Sequence, residues 1–254
     1  MTGTSLIFGL HAVEAALKRD PSAIQQLWCD VKRKDKRLKT LSQLAGNQGV
    51  RPDWVTRSEL DAMLPEGVRH QGVVARVQGS VERSESFLEQ LLVDLQHPPL
   101  LLVLDGVTDP HNLGACLRSA DAAGVDAVIT TRDKACGLTP VVRKVASGAA
   151  ESVPFVQVTN LARTLNMLKG AGVWVIGTAL EEGAAPLFET NLEGPLALVL
   201  GAEGKGLRRL TRESCDQLIH IPMYGSVESL NVSVATGICL FEAVRQRRLG
   251  NTTG

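Results

Sequence analysis

Residue types that could do chemistry cluster in three polar segments of the second half of the chain. The first is LDGVTDPHNLGACLRS, residues 104–119. It sets an amide, Asn112, and a guanidinium, Arg118, behind a turn rich in Gly and Pro. Ala115 and Cys116 predict a small apolar face there, and a charge set into such a face calls for a partner. A guanidinium offers donors and a fixed positive charge, suited to stabilising an anion rather than to removing a proton. Asn112 has a simpler reading as a helix N-cap. The second segment is GAEGKG, residues 201–206, in which glycines allow close backbone approach and enclose an acid, Glu203. Its order, G-x-x-G-x-G, is neither the dinucleotide fingerprint nor a P-loop. A tight turn explains it as well as a ligand loop does. The third segment, IPMYGSVESLNVS at 221–233, brings Ser229, Asn231 and Ser233 to the start of a helix. Ordinary capping explains each of these taken alone.

Other chemistries are excluded more readily. The five cysteines (29, 116, 136, 215, 239) form no C-x-x-C pair, and the histidines show no H-x-x-x-H spacing, so no structural zinc is expected. Scattered cysteines read as reduced thiols of a cytoplasmic protein. No basic segment followed by an apolar stretch opens the sequence, so no signal peptide is expected. The runs Leu100–Leu104 and Leu196–Leu200 fall far short of the ~20 apolar residues of a membrane span. At 4% aromatic content a base-stacking platform is not evident. Lys+Arg and Asp+Glu balance at 27 each, but unevenly along the chain. Residues 1–76 hold 12 basic and 8 acidic side chains, and Lys32, Arg33, Lys34, Lys36, Arg37 and Lys39 fall within eight positions. Such a run suits a polyanion, or merely a solvated face.

The elements that must position these groups follow from periodicity. In the first part, helical spacing covers 9–18 and 36–45, strands are expected at 24–29 and 73–77, and Thr56 with Glu59 marks a capped short helix. The polar stretch 79–86 reads as a linker, and a helix over 87–95 stops at His97-Pro98-Pro99. From residue 100 onward strands and helices alternate. Strands are expected at 100–104, 127–130, 153–158, 173–177, 196–200 and 218–222, and helices at 114–123, 140–146, 161–169 and 232–248. This rhythm predicts an α/β fold with a largely parallel sheet covered on both faces. Ligands of such sheets bind beyond the carboxyl ends of the strands, where all three polar segments lie.

Taken together, LDGVTDPHNLGACLRSADAAGV, LVLGAEGKGL and IPMYGSVESLNVSVATGICLFEAV resemble motifs 1, 2 and 3 of the SpoU/TrmH branch of SPOUT RNA ribose 2′-O-methyltransferases. The resemblance spans about residues 100–250, with the motifs in the right order. IFGLHAVEAAL and HQGVVARV resemble the branch's small L30-like substrate-binding domain. The one departure is Cys116, which stands where a branched aliphatic residue is more usual.

The resemblance implies a deep C-terminal trefoil knot, which general rules of chain connection disfavour. It implies an L30-like domain at 1–77, a linker with a connecting helix at 78–98, and a methyltransferase domain at 99–254. It implies S-adenosylmethionine as methyl donor, bound by Thr178, Ala179, Leu200, Gly201, Ile221, Met223 and Leu230. Catalysis falls to Arg118, with Asn112, Glu203, Ser229 and Asn231 organising the site. Lys32, Arg33, Lys34 and Lys36 are expected to hold RNA, and a homodimer to complete the active site, with no metal. The member type most resembled methylates a guanosine of bacterial 23S rRNA. The alternatives are the same chemistry on tRNA, and a non-catalytic rRNA-binding or assembly factor.

Overall fold

The computed structural model describes residues 4–64, 67–78, 83–202, 204 and 206–250. The chain divides into two units, residues 1–81 with 147–152, and residues 82–146 with 153–254.

The first unit is a four-stranded sheet with helices on both faces. Its elements are β1 (Thr4–Phe8), α1 (Leu10–Arg19), β2 (Ile24–Asp30), α2 (Lys36–Asn47), β3 (Pro52–Val55), α3 (Arg57–Ala62) and β4 (Val73–Gln78). The sheet order is β1-β4-β2-β3, antiparallel except for the β2–β3 pair. Alternation sorts the two faces. Leu27, Cys29, Val73, Ala75 and Val77 pack with Val13 and Leu17 of α1 and Leu38 and Leu41 of α2. Trp28 and Val74 point the other way, against Leu60 of α3. The Asp35 carboxylate accepts the N–H groups of Arg37 and Leu38 and so opens α2. Thr56 and Glu59 close the expected capping box on α3. Sequence reading missed β1 and β3. The latter carries Pro52 and Asp53, poor strand formers tolerated because β3 lies at the sheet edge.

The second unit is a wholly parallel seven-stranded sheet. Its strands are β5 (Leu100–Asp105), β6 (Ala127–Thr131), β7 (Phe155–Val158), β8 (Trp174–Thr178), β9 (Ala185–Pro186), β10 (Leu196–Gly201) and β11 (Gln217–His220). Its helices are α4 (Glu85–Asp94), α5 (Pro110–Ala123), α6 (Pro140–Ala146), α8 (Leu161–Gly170), α9 (Arg209–Glu213) and α10 (Val232–Gly250); α7 (Ala149–Ser152) groups with the first unit. The sheet order is β7-β6-β5-β10-β8-β11-β9. A plain doubly wound sheet lays each new strand outside the last. Here the chain returns to insert β10 between β5 and β8, then β11 between β8 and β9. β5 up to its terminal Asp105 and β10 along its whole length are apolar, and both are buried along almost all of their residues, as strands covered on two faces must be.

Two boundaries differ from expectation. The helix expected from residue 114 begins at Pro110, because Asp109 accepts the N–H groups of His111 and Asn112 and proline needs no donor at a first turn. The segment expected as linker ends in structure: Arg83 pairs with β7, Glu85 binds Thr159 and Arg163, and Leu88 of α4 lies fully buried in the core. Residues 79–82 of that segment lie outside the described residues.

The last helix, α10, packs against α5 and β10. Its end is tied down by two side chains. Gln246 donates to Thr190 O at 3.0 Å and accepts from Leu192 N–H at 2.8 Å. The Arg247 guanidinium donates to the carbonyls of Pro98, Pro99 and Gly194.

Candidate active site

A cavity of about 550 Å³ opens beyond the carboxyl ends of β8, β10 and β11. Its lining includes all of the residues expected for the cofactor: Thr178, Ala179, Leu200, Gly201, Ile221, Met223 and Leu230. They are brought together because three strand ends meet there, although 52 residues separate Thr178 from Leu230. Ser229 lines the same cavity, as do Gly204 and Gly206. Those two glycines have φ of +75° and +62°, and a Cβ on either would meet nothing within 4 Å. Side chains there would project into open space from a backbone that disfavours them. Gly201 is glycine for the opposite reason, since its Cβ would lie 2.1 Å from the Gly206 carbonyl carbon. The loop folds back on itself at that point.

Sequence reasoning missed three charged members of the lining, Glu181, Arg212 and Glu228. The first two form an ion pair at 2.8 Å. Glu181 stands two positions after the cofactor residue Ala179 in the loop that follows β8, a signal that could have found it; Arg212 belongs to no recognisable pattern.

A polar junction adjoins the cavity. Asn231, the neighbour of Leu230, donates from Nδ2 to Oδ1 of Asn112 at 2.9 Å, across 119 residues of chain. Its own Oδ1 accepts from the Ser233 N–H and hydroxyl at 2.9 and 2.6 Å, so Asn231 also caps α10. The cap of α5 is Asp109, so Asn112 is not a cap, and its side chain reaches α10. One turn along, the Cys116 Sγ lies 3.4 Å from the Thr236 hydroxyl, and a Cβ on Gly237 would stand 3.8 Å from the Ser119 hydroxyl. Small residues thus let α5 and α10 approach closely.

Arg118 departs from expectation. It is exposed rather than set into an apolar face, and no hydrogen bond or ion pair joins it to another described residue. It stands one position before Ser119, about 100° further round the helix, where α10 does not cover it. Glu203 lies outside the described residues. In the first unit Lys32, Lys34 and Lys36 are exposed, whereas Arg33 turns inward and donates to Asp35 and to the Gln71 carbonyl. Burial pushes the Cys116 thiol up to about 11 and the Cys239 thiol up to about 12, so α5 and α10 present no thiolate at neutral pH. Among the described residues no cluster of potential metal ligands occurs.

The sequence profile of the SpoU rRNA Methylase family matches residues 99–241, and that of the RNA 2′-O ribose methyltransferase substrate-binding family matches residues 6–81. The chain belongs to the SpoU rRNA methylase family. It is 57% identical over 249 residues to a 23S rRNA (guanosine-2′-O-)-methyltransferase of Pseudomonas putida, covering 98% of this chain and 99% of that protein. The SpoU methyltransferase AviRb of Streptomyces viridochromogenes, solved in complex with the cofactor AdoMet, superposes with a TM-score of 0.77 at 25% identity over 98% of this chain and 92% of that one. A TrmH/SpoU tRNA-modifying enzyme of A. aeolicus reaches a TM-score of 0.56 at 32% identity, covering 66% of this chain and 85% of its own.

The cavity fits S-adenosylmethionine. Leu200, Ile221, Met223 and Leu230 give it an apolar wall suited to an adenine face, and the glycine loop leaves backbone groups bare. The Glu181–Arg212 pair in the lining offers both signs of charge, which would suit an amino-acid moiety that carries both.

Proposed function

We propose that this protein transfers the methyl group of S-adenosylmethionine to the ribose 2′-hydroxyl of a guanosine in 23S rRNA. The observation that carries this reading is the near-complete coverage of relatives named for that reaction, first unit included. The tRNA alternative draws less support, because the similarity to the tRNA-modifying enzyme spans only 66% of this chain. The intact Asn112–Asn231 junction beside the cavity speaks against a non-catalytic assembly factor.

The bound cofactor supplies an electrophilic methyl group on a sulfonium. The chain must align a weakly acidic hydroxyl with it and stabilise the charge that develops as the oxygen attacks. Arg118 suits the stabilising role, since it is exposed and its donors are not engaged by described residues. In this reading Arg118 stabilises the incipient alkoxide and a neighbouring phosphate, and Glu203 orients it or receives the proton. Asn112, Ser229 and Asn231 hold α5 against the cavity mouth. Oxygen gains the methyl, the 2′-proton leaves, and S-adenosylhomocysteine departs.

The site is completed by a second copy of the chain. Support comes from α10, where Val234 and Phe241 are each 50% exposed and Ile238 is partly so. Positions 234, 238 and 241 form one apolar stripe, as a helix awaiting a partner helix should have. Lys32, Lys34 and Lys36 hold rRNA phosphates, and the reaction takes place in the cytoplasm.

The test is methyl transfer from labelled cofactor to rRNA lacking its own modifications, mapped by primer extension sensitive to 2′-O-methylation. One stop on 23S rRNA, lost in Arg118→Ala, is the expected result. Transfer to tRNA instead would overturn the substrate, and cofactor binding without transfer to any RNA would overturn the enzymatic reading.

A further inference from the structure

Asp105 ends β5 with a fully buried side chain, yet no step of the reaction uses it. Its partners all belong to the glycine loop that lines the cofactor cavity. The Asp105 carbonyl accepts the Ala202 N–H at 3.0 Å, at the loop's beginning. The Asp105 carboxylate accepts the Arg208 N–H through Oδ2 at 2.8 Å, at the loop's end. The Arg208 Nε stands 3.3 Å from Oδ1, which has no hydrogen-bond partner among the described residues. One residue therefore grips both ends of the loop between Ala202 and Arg208. Between those ends the Gly206 N–H donates to the Ala202 carbonyl at 2.9 Å.

A buried carboxylate is costly unless its charge is met, and here both the hydrogen bond to Oδ2 and the cation beside Oδ1 come from Arg208 at the loop's end. An open loop would leave Asp105 buried without the Arg208 N–H. The neighbouring Gly106, at φ +77°, leaves room beside this carboxylate, since a Cβ there would lie 3.1 Å from the Arg208 guanidinium. The loop so fixed contributes Gly201, Ala202, Gly204 and Gly206 to the cavity wall.

We infer that Asp105 is a positioning residue, a clamp that holds the glycine loop in the shape that binds the cofactor. The inference rests on the assignment of the cavity to S-adenosylmethionine. It predicts a defect in cofactor binding carried by the carboxylate's acceptor oxygen rather than by its charge. Asparagine keeps an acceptor for the Arg208 N–H; alanine does not.

The experiment measures S-adenosylhomocysteine affinity by calorimetry and amide exchange across the full-length protein, for Asp105→Ala, Asp105→Asn and Arg208→Ala. In Asp105→Ala, affinity is expected to fall tenfold or more, with faster exchange at Ala202 and Arg208 and unchanged exchange at Ala197–Val199. Asp105→Asn is expected within threefold of wild type, whereas Arg208→Ala, which leaves the buried carboxylate without its cation, is expected to lose affinity as well. Asp105→Ala within threefold of wild type would overturn the clamp, and so would Asp105→Asn losing as much as Asp105→Ala. If Asp105→Ala does not fold, Asp105→Asn decides: near-native affinity upholds the acceptor role and a tenfold loss overturns it. A wild-type protein that binds no S-adenosylhomocysteine would instead refute the cofactor assignment, while the exchange at Ala202 and Arg208 would still report whether the clamp exists.

Discussion

Arg118 and Asn112 occupy the same helix but play parts that substitution can separate. Arg118 bonds to no described residue, so its removal should cost little in stability. Arg118→Ala is expected to keep S-adenosylhomocysteine affinity and thermal midpoint while turnover falls about 10²- to 10³-fold, the usual cost of losing one preorganised donor at a developing anion. Arg118→Lys should recover little, because a single ammonium cannot address alkoxide and phosphate together as a planar fork does. Turnover near wild type in Arg118→Lys would remove the argument from geometry. Asn231→Ala should behave differently. It deletes the α10 cap and the bond to Asn112 together, so calorimetric stability should drop by about 1–2 kcal/mol. The three polar segments were legible in the sequence, but each taken alone reads as capping or a tight turn, and only the resemblance to the SpoU/TrmH motifs joined them into one candidate site. The environment of Arg118 was not legible. Its exposure depends on which face α10 covers, and α10 starts more than 100 residues later, beyond the reach of local periodicity.

Among elements, α10 packs against both α5 and β10, and its last turns carry a testable electrostatic network. Glu242 accepts two hydrogen bonds from the Arg245 guanidinium, at 2.8 and 2.7 Å, and one from Gln246 at 2.8 Å. The Arg245 guanidinium holds the Glu242 carboxyl below its ordinary value of 4.5. A carboxyl lowered by folding contributes stability above its unfolded pKa and loses it as pH falls through the folded value. Glu242→Gln should therefore lower the unfolding free energy near pH 7 by about 1 kcal/mol, modest because Arg245 is largely exposed. The difference from wild type should shrink as pH falls below 4.5. A difference that is constant with pH would assign Glu242 to packing alone. Gln246→Ala should cost more, about 1–3 kcal/mol, because it leaves the Thr190 carbonyl and the Leu192 N–H without their partner. The long strands and helices of this unit were readable from apolar runs and helical spacing. The short ones were not: β9 has two residues, α7 four and α9 five, too few for any period to show. Strand order was equally hidden, because the insertion of β10 between β5 and β8 is a property of pairing, and every buried parallel strand looks alike in sequence.

Across the whole molecule the proposed function gives the substrate to the first unit and the cofactor to the second, and the uneven charge accords with that reading. The basic run of the first unit splits on folding. Lys32, Lys34 and Lys36 remain exposed, while Arg33 is spent on Asp35 and the Gln71 carbonyl. Composition alone treats the four as equals, and only the turn at 70–72 distinguishes Arg33: a Cβ on Gly72 would lie 2.7 Å from the Arg33 Cδ, so the two are in close contact. Two variants test the distinction. Replacing Lys32, Lys34 and Lys36 with alanine should weaken RNA binding and leave cofactor affinity and the thermal midpoint unchanged. Each lost phosphate contact reduces the slope of log affinity against log salt by roughly 0.7–0.9, so the triple variant should flatten it by about 2. Arg33→Ala should lower the thermal midpoint, because it frees the Asp35 carboxylate at the start of α2 and the Gln71 carbonyl, and should change the salt slope little. An unchanged slope in the triple variant would place the RNA contacts elsewhere.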